Sequence, residues 1–272
     1  MTDKRAGTGL KKQLITKAGS YGARLIGFAS VDRWSEHNEM PASYFPQNVF
    51  PHTRTVIVLA LPIFIPMLDT TPSIVYSELY TTSNRLLDEI AYKLSLYLNN
   101  KGFRGVFFPR DGYGDISVLI DKPKAAFSHV FAGKYAGLGT IGYNHTLLTE
   151  AYGPRVRLVS VFTDAEIEPD AVHEKELCMK CLLCKRCCPT SAFTSTRNLI
   201  ADMDKRKCAK YHAELKSTYC YPCGVCIKVC PVGEDRKLYG MDKEKYLKEK
   251  NNVVNSEEYA DWIHIRNHGT KK

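Results

Sequence analysis

Two cysteine runs carry the chemistry readable in this chain. The first is Cys178-x-x-Cys181-x-x-Cys184-x-x-x-Cys188-Pro189, the second Cys220-x-x-Cys223-x-x-Cys226-x-x-x-Cys230-Pro231. Three thiolates at this spacing wrap three corners of one [4Fe-4S] cluster from a single tight loop, and the fourth points away to a neighbouring cluster. The spacing predicts Cys178, Cys181, Cys184 and Cys230 around one cluster, with Cys188 joining Cys223 and Cys226 around the other. Two cysteines compete for the last position. Cys220 completes the regular spacing, and Cys208, beside Lys207, reaches the same iron from a longer loop; spacing alone leaves both open. Cys187 sits next to a ligand but out of register and reads as a spectator.

Other cysteine chemistries fit poorly. A structural zinc site takes four ligands, commonly as two C-x2-C pairs, which leaves the third and fourth cysteines of each run without a role. Disulfide frameworks belong to small secreted chains, whereas all ten cysteines of this 272-residue protein follow residue 177.

These loops need a scaffold, and the chain is long enough for one large domain and a small one. Residues 9–22 read as an amphipathic helix and residues 23–29 as a strand. Residues 53–61 are β-branched and continuously apolar, which predicts a strand buried on both faces of a covered sheet. From Ser73 to Asn99 the pattern is helical, with Leu86, Leu87, Ile90, Leu94, Tyr97 and Leu98 at steps of three and four. Residues 104–108 and 155–163 read as further strands and 122–135 as a helix. The acidic segment from Asp164 to Glu176 reads as a linker. The expected division is an α/β cofactor-binding domain (1–170), a two-cluster domain (171–240) and a charged helical tail (241–272).

Net charge is +9, and residues from 171 onward hold 20 Lys and Arg against 13 Asp and Glu. A basic cluster-bearing end suits an acidic electron donor or a nucleic-acid backbone. Over residues 241–250, however, the signs alternate as on an exposed helix. The first residues carry charge without an apolar signal core, and the most apolar run, 55–68, is broken by Pro62 and Pro66 and shorter than the ~20 residues of a membrane helix. With the cluster cysteines, this gives the expectation of a reducing cytoplasm and no membrane partner.

Gly137-x-Gly139-x-x-Gly142 matches a dinucleotide fingerprint in its letters, with Asp164 where a ribose-binding acid would fall. The fingerprint needs a strand directly before it, which residues 127–135 do not offer, and Gly153-Pro154 cuts the helix required after it. What survives is that three glycines within six residues let backbone approach a flat cofactor or a packed neighbouring segment closely.

Taken together, residues 55–62, the Ala136–Gly142 loop with Thr146-Leu147-Leu148 after it, the strand through Thr163-Asp164, Cys178 to Pro189, Lys207-Cys208 and Cys223-x2-Cys226-x3-Cys230-Pro231 resemble the epoxyqueuosine reductase family. These are corrinoid-dependent iron-sulfur enzymes related to reductive dehalogenases. The resemblance covers residues 10–235 and implies a nitroreductase-like α/β amino-terminal domain followed by a bacterial-type two-cluster ferredoxin domain. It further implies cobalamin above the clusters, Gly137, Gly139 and Gly142 against the corrin, and Cys208 rather than Cys220 on the second cluster. The family's proton-donating Asp has only an approximate counterpart, Asp121, two residues out of register and without the Ser-x-Pro-Val-Leu-Glu that follows it in the family. His129 and Tyr113 are the other proton-donor candidates. The helical-repeat domain that longer members use around transfer RNA has no counterpart in residues 241–272.

The expected function is an iron-sulfur oxidoreductase relaying electrons through two [4Fe-4S] clusters to a corrinoid for substrate reduction. A low-potential flavodoxin or ferredoxin is the expected electron donor, and tRNA a candidate partner. The alternatives are an electron-transfer protein serving a partner enzyme, and a reductase holding FMN in the same pocket.

Overall fold

The computed structural model describes residues 8–37, 39–194, 198–250 and 260–271. Helix α1 (Thr8–Ser20) leads into β1 (Leu25–Ser30); the short helices α2 (Arg33–His37) and α3 (Pro46–Val49) then precede β2 (Thr55–Pro62). After α4 (Ile65–Leu68) come the long α5 (Ile74–Asn100), β3 (Gly105–Phe108), α6 (Ile116–Asp121), α7 (His129–Tyr135), the small strands β4 (Thr140–Ile141) and β5 (Leu147–Leu148), and β6 (Val156–Thr163). The sheet runs β1-β2-β6-β3, antiparallel throughout.

Strand β2 is central because it is apolar on both faces. Alternation sends Ile57, Leu59 and Leu61 to one core, where α1 brings Leu10 and Leu14 and α5 brings Leu87, Leu94 and Leu98. Val56, Val58 and Ala60 face a second core built around Trp34, Phe127 and Tyr135. Each fully buried aliphatic side chain contributes roughly 1.5–3 kcal/mol, so polar substitution on either face of β2 strikes a core.

Two expectations need correction. Residues 122–135 are not one helix: Lys122 precedes Pro123, which disfavours helical backbone before it, and the chain becomes helical again only at α7, where the Ser128 side chain accepts from the Phe131 N–H. On α5, Leu86 is 46% exposed, and the first turns carry a buried stripe of a different kind, Tyr76, Tyr80 and Asn84 at successive steps of four.

The cysteine-rich part comprises α8 (Leu183–Arg186), α9 (Lys205–Ser217), α10 (Val225–Lys228) and α11 (Asp235–Tyr239), followed by α12 (Lys243–Lys250) and α13 (Ala260–Asn267). It is fastened to the sheet through Arg155, wholly buried at the start of β6. Arg155 makes a two-pronged ion pair with Asp235, Nε and Nη2 each 2.6 Å from a carboxylate oxygen, and donates to the carbonyls of Cys230 and Val232 at 2.9 and 2.6 Å. Gly153 packs so tightly there that a β-carbon would lie 1.9 Å from the Val232 oxygen. Helix α12 is not simply solvated: Tyr246 is buried, and Glu249 pairs at 2.7 Å with Lys228, itself 1% exposed. The alternating charges conceal one packed face. The acidic segment after β6 is also fixed, because Asp170 accepts from the Phe28 N–H at 2.9 Å and pairs with Lys11 at 2.6 Å.

Candidate active site

The fold gathers eight of the ten cysteines into two quartets. Cys178, Cys181, Cys184 and Cys230 line one small cavity with Tyr143 and Asn144. Burial, with Cys230, Cys181 and Cys178 adding in the same direction, pushes the Cys184 thiol up to about 12. Cys188, Cys208, Cys223 and Cys226 line a second, larger cavity. Burial raises the Cys208 thiol to about 11, with Cys188 adding to the shift, and Cys223 to about 12, with Cys208 and Cys188 adding. Thiols that raise one another in this way are unstable as bare anions, and a shared cationic centre resolves the conflict.

The two remaining cysteines line neither cavity, although Cys220 packs in one hydrophobic cluster with Cys223. Cys220 lies in the turn after α9, packed on Leu215, with its Sγ 3.6 Å from the Thr218 carbonyl; burial, not another thiol, raises it. Cys187 packs against Leu183, Val229 and Tyr246.

All ten cysteines are free thiols, and among the described residues no three His, Cys, Asp or Glu side chains come together closely enough for a single metal ion. Four thiols lining one cavity in each quartet match the four-thiolate ligation of a cubane cluster. Backbone N–H groups point at the sulfurs, among them Tyr143 N to Cys178 at 3.5 Å and Ala192 N to Cys188 at 3.4 Å. The Tyr143 hydroxyl, whose pKa burial and Cys184 raise, is buried without a hydrogen-bond partner on the first quartet's wall. A cluster sulfide would supply the missing acceptor.

The second quartet opens into a cavity of about 460 Å³. That falls within the ~300–1,000 Å³ of ligand sites. One wall is a polar network that the sequence reading missed apart from Tyr113. Arg157 of β6 lies 2.8 Å from Asp111 and 2.9 Å from the Asn84 side-chain oxygen, with its guanidinium 4.4 Å from the Tyr80 ring centre. The Tyr80 hydroxyl is 2.9 Å from Asp111 and 3.5 Å from that of Tyr221, which in turn is 3.1 Å from the Tyr113 hydroxyl. Burial raises the phenol pKa of Tyr80, Tyr113 and Tyr221, and Arg157 pulls those of Tyr80 and Tyr113 back down. These phenols stay protonated, and the half-buried guanidinium beside them favours the phenolate that proton release would leave behind.

Of the candidate proton donors, Tyr113 and His129 line this cavity and Asp121 does not. Asp121 ends α6 in an exposed position, its backbone carbonyl accepting from Arg206 at 3.2 Å. His129 is buried with both ring nitrogens occupied, Nδ1 2.8 Å from the Ser160 hydroxyl and Nε2 2.8 Å from the Pro109 carbonyl. A carbonyl only accepts, so Nε2 carries the proton and the ring is neutral.

Burial lowers His129 from 6.5 to about 4. Because its folded pKa is depressed, its contribution to stability is complete above the unfolded value and lost as pH falls from about 6.5 towards 4. The difference amounts to about 3 kcal/mol. Denaturant midpoints measured across that window should fall less steeply in His129→Phe than in the wild type, and equal slopes would refute this reading. His212, lowered to about 4 by burial, keeps part of the slope in both.

The three glycines do not line the cavity. A β-carbon on Gly137 would meet the Ala171 oxygen at 2.2 Å, one on Gly139 the Leu148 oxygen at 1.8 Å, and one on Gly142 the Asn144 side chain at 2.9 Å. Their close approach is to the protein's own chain. The cavity side of this loop is presented instead by Asn144, His145, Thr146 and Leu147.

No protein-family profile matches the chain. It is 26% identical over 197 residues to the tetrachloroethene reductive dehalogenase of Dehalobacter restrictus, covering 65% of this chain and 32% of that one. It is 26% identical over 236 residues to the epoxyqueuosine reductase of Gloeobacter violaceus, covering 80% and 67%. The chain thus spans about a third of the length of the dehalogenases it matches. Among solved structures, an epoxyqueuosine reductase with a modified tRNA-Tyr stem loop aligns at TM-score 0.57 with 21% identity, covering 94% of this chain and 76% of that one. A reductive dehalogenase described with a mechanism for B12-dependent dehalogenation aligns at TM-score 0.64 with 18% identity, covering 94% and 38%. The chain is related in sequence to both groups of reductases and shares their mixed α/β fold.

Proposed function

We propose that this chain is a reductase that moves electrons through two [4Fe-4S] clusters into a corrinoid held in the large cavity. The observation that carries the reading is that Cys188, Cys208, Cys223 and Cys226 form part of the wall of the same cavity as the Arg157, Asp111 and tyrosine network. Electrons and a proton thereby reach one space from different walls. In this reading residues 1–170 are a nitroreductase-like cofactor domain, 171–240 a ferredoxin-like domain, and 241–272 a tail closing back on both.

Cys178, Cys181, Cys184 and Cys230 hold the first cluster and Cys188, Cys208, Cys223 and Cys226 the second. The cavity face of residues 144–147 and the rings of Tyr76 and Tyr80 hold the corrinoid, which when bound supplies strongly reducing two-electron chemistry. Clusters suit its supply, since their potentials extend to roughly −700 mV. Tyr113 supplies the proton through its contact with Tyr221, and Arg157 stabilises the resulting negative charge. The apolar walls exclude water, which strengthens those electrostatic effects. Asp121 lies outside this space, so the reading favours a small substrate enclosed in the cavity over a nucleoside presented by tRNA.

The test is an absorption titration of anaerobically purified, iron-reconstituted protein with cobalamin and, separately, FMN. Shifted cobalamin bands and co-elution through gel filtration are expected. FMN binding alone would replace the corrinoid with a flavin. Binding of neither, with both clusters present, would make the protein an electron carrier for a partner enzyme.

A further inference from the structure

The two cysteine loops share a spacing but differ in what covers them. In the second, Gly224 follows Cys223 with φ 68° and packs under the Tyr76 ring of α5, where a β-carbon would lie 2.5 Å from the ring edge. In the first, Cys181 is the one exposed cysteine of the ten, flanked by Lys180 and Leu182 with φ of 50° and 60°. Non-glycine residues rarely adopt that conformation, and here two of them turn the loop so that Cys181 faces outward. Met179 beside it is 64% exposed.

The surface around Cys181 has one sign of charge. Its shallow groove is lined by Cys181, Leu182, Lys185, Arg186, Ser191, Phe193 and Lys250, with no carboxylate among them. Lys180 is exposed at its rim. The described residues' ion pairs include none from Lys180, Lys185, Arg186 or Lys250. Unpaired cations around an apolar centre make a steering surface for an anionic partner.

The geometry points to this face as the electron entry port, docking an acidic one-electron carrier protein over Cys181. The inference rests on the two-cluster reading above and adds the place where the donor docks, over the uncovered first cluster. Each docking event moves one electron, the carrier being oxidised and the first cluster reduced, with no bond made or broken. Two events therefore precede each two-electron reduction.

The experiment follows cluster bleaching by stopped flow in the reconstituted full chain, with reduced flavodoxin as donor and dithionite as a small control reductant. In the triple variant Lys180→Glu, Lys185→Glu, Arg186→Glu, the flavodoxin rate should fall by about 10-fold or more at low salt, within the ~10–10³ span of electrostatic steering. The dithionite rate and iron content should be unchanged, and the wild-type flavodoxin rate should fall as salt rises. Equal flavodoxin rates in both proteins, or a wild-type rate indifferent to salt, would overturn the docking site. Loss of tRNA binding in the variant with an unchanged flavodoxin rate would assign the face to nucleic acid instead. Absence of iron and acid-labile sulfide from the reconstituted chain would remove the cluster reading and this inference with it.

Discussion

Cys208→Ser is expected to lose the second cluster and with it about half the iron, one of two four-iron centres, while Cys220→Ser keeps both. Cys208 lies in the first turn of α9, where Asp204 caps the helix by accepting from the Lys207 N–H at 3.0 Å. A helix amino terminus favours the thiolate, and this one turns Cys208 towards Cys188, Cys223 and Cys226. Cys220 ends the same helix. Its N–H bonds to the Leu215 carbonyl at 2.8 Å and that of Tyr219 to Lys216 at 3.2 Å, with Tyr219 at φ 65°. These are the paired bonds of a Schellman stop, in which the residue after the left-handed one packs back on the helix, as Cys220 does on Leu215. Its thiol is committed to that packing. The measurement is iron and acid-labile sulfide per chain after anaerobic reconstitution, and iron lost from Cys220→Ser but not Cys208→Ser would invert the ligand set.

The choice between those two cysteines was beyond spacing for a physical reason: a Schellman stop usually announces itself with glycine, and here Tyr219 takes the left-handed position. Other parts were plainer. Strand β2 was legible because a strand covered on both faces has no polar positions to hide among. Cys178, Cys181 and Cys184 were legible as one group because their spacing holds three thiols within seven residues, and they line one cavity. Helix α12 was half legible, since its charges alternate while Tyr246 and Glu249 turn inward.

The glycine loop was read correctly as a place of close approach, but sequence does not say what approaches. The Ala171 and Leu148 carbonyls fill that space. The polar wall of the cavity was nearly invisible. Tyr76, Tyr80, Asp111, Arg157 and Tyr221 come from α5, the turns around β3, β6 and the second cysteine loop, and only folding brings them together. The one local signal was the Tyr76, Tyr80, Asn84 stripe, which displaces apolar residues from the inner face of α5 where it passes the cavity.

That wall sets the second large effect. Tyr113→Phe should reduce turnover by roughly 10²–10⁴-fold, the usual contribution of a positioned general acid, with both clusters and cofactor binding intact. Loss of one hydroxyl leaves ring packing in place but severs the link to Tyr221 at 3.1 Å, and through it to Tyr80, Asp111 and Arg157. Burial, the largest influence, holds the Tyr113 phenol well above its ordinary 10, so it stays protonated across neutral pH and wild-type turnover should not fall between pH 7 and 9 for want of this proton. Arg157 makes the donation feasible, since it is the fixed cation that lowers the phenol pKa from the other side of the network. Arg157→Met should therefore also slow turnover, and its rate loss should not add to that of Tyr113→Phe, because residues acting as a unit are non-additive. On the proposed reductase reading, the assay uses a chlorinated alkene as probe substrate and follows chloride release by the reduced, cobalamin-loaded protein, with cofactor binding checked by absorption. Full turnover in Tyr113→Phe beside a collapse in Tyr221→Phe would move the donor one hydroxyl along the chain. Full turnover in both would take proton transfer away from this wall altogether.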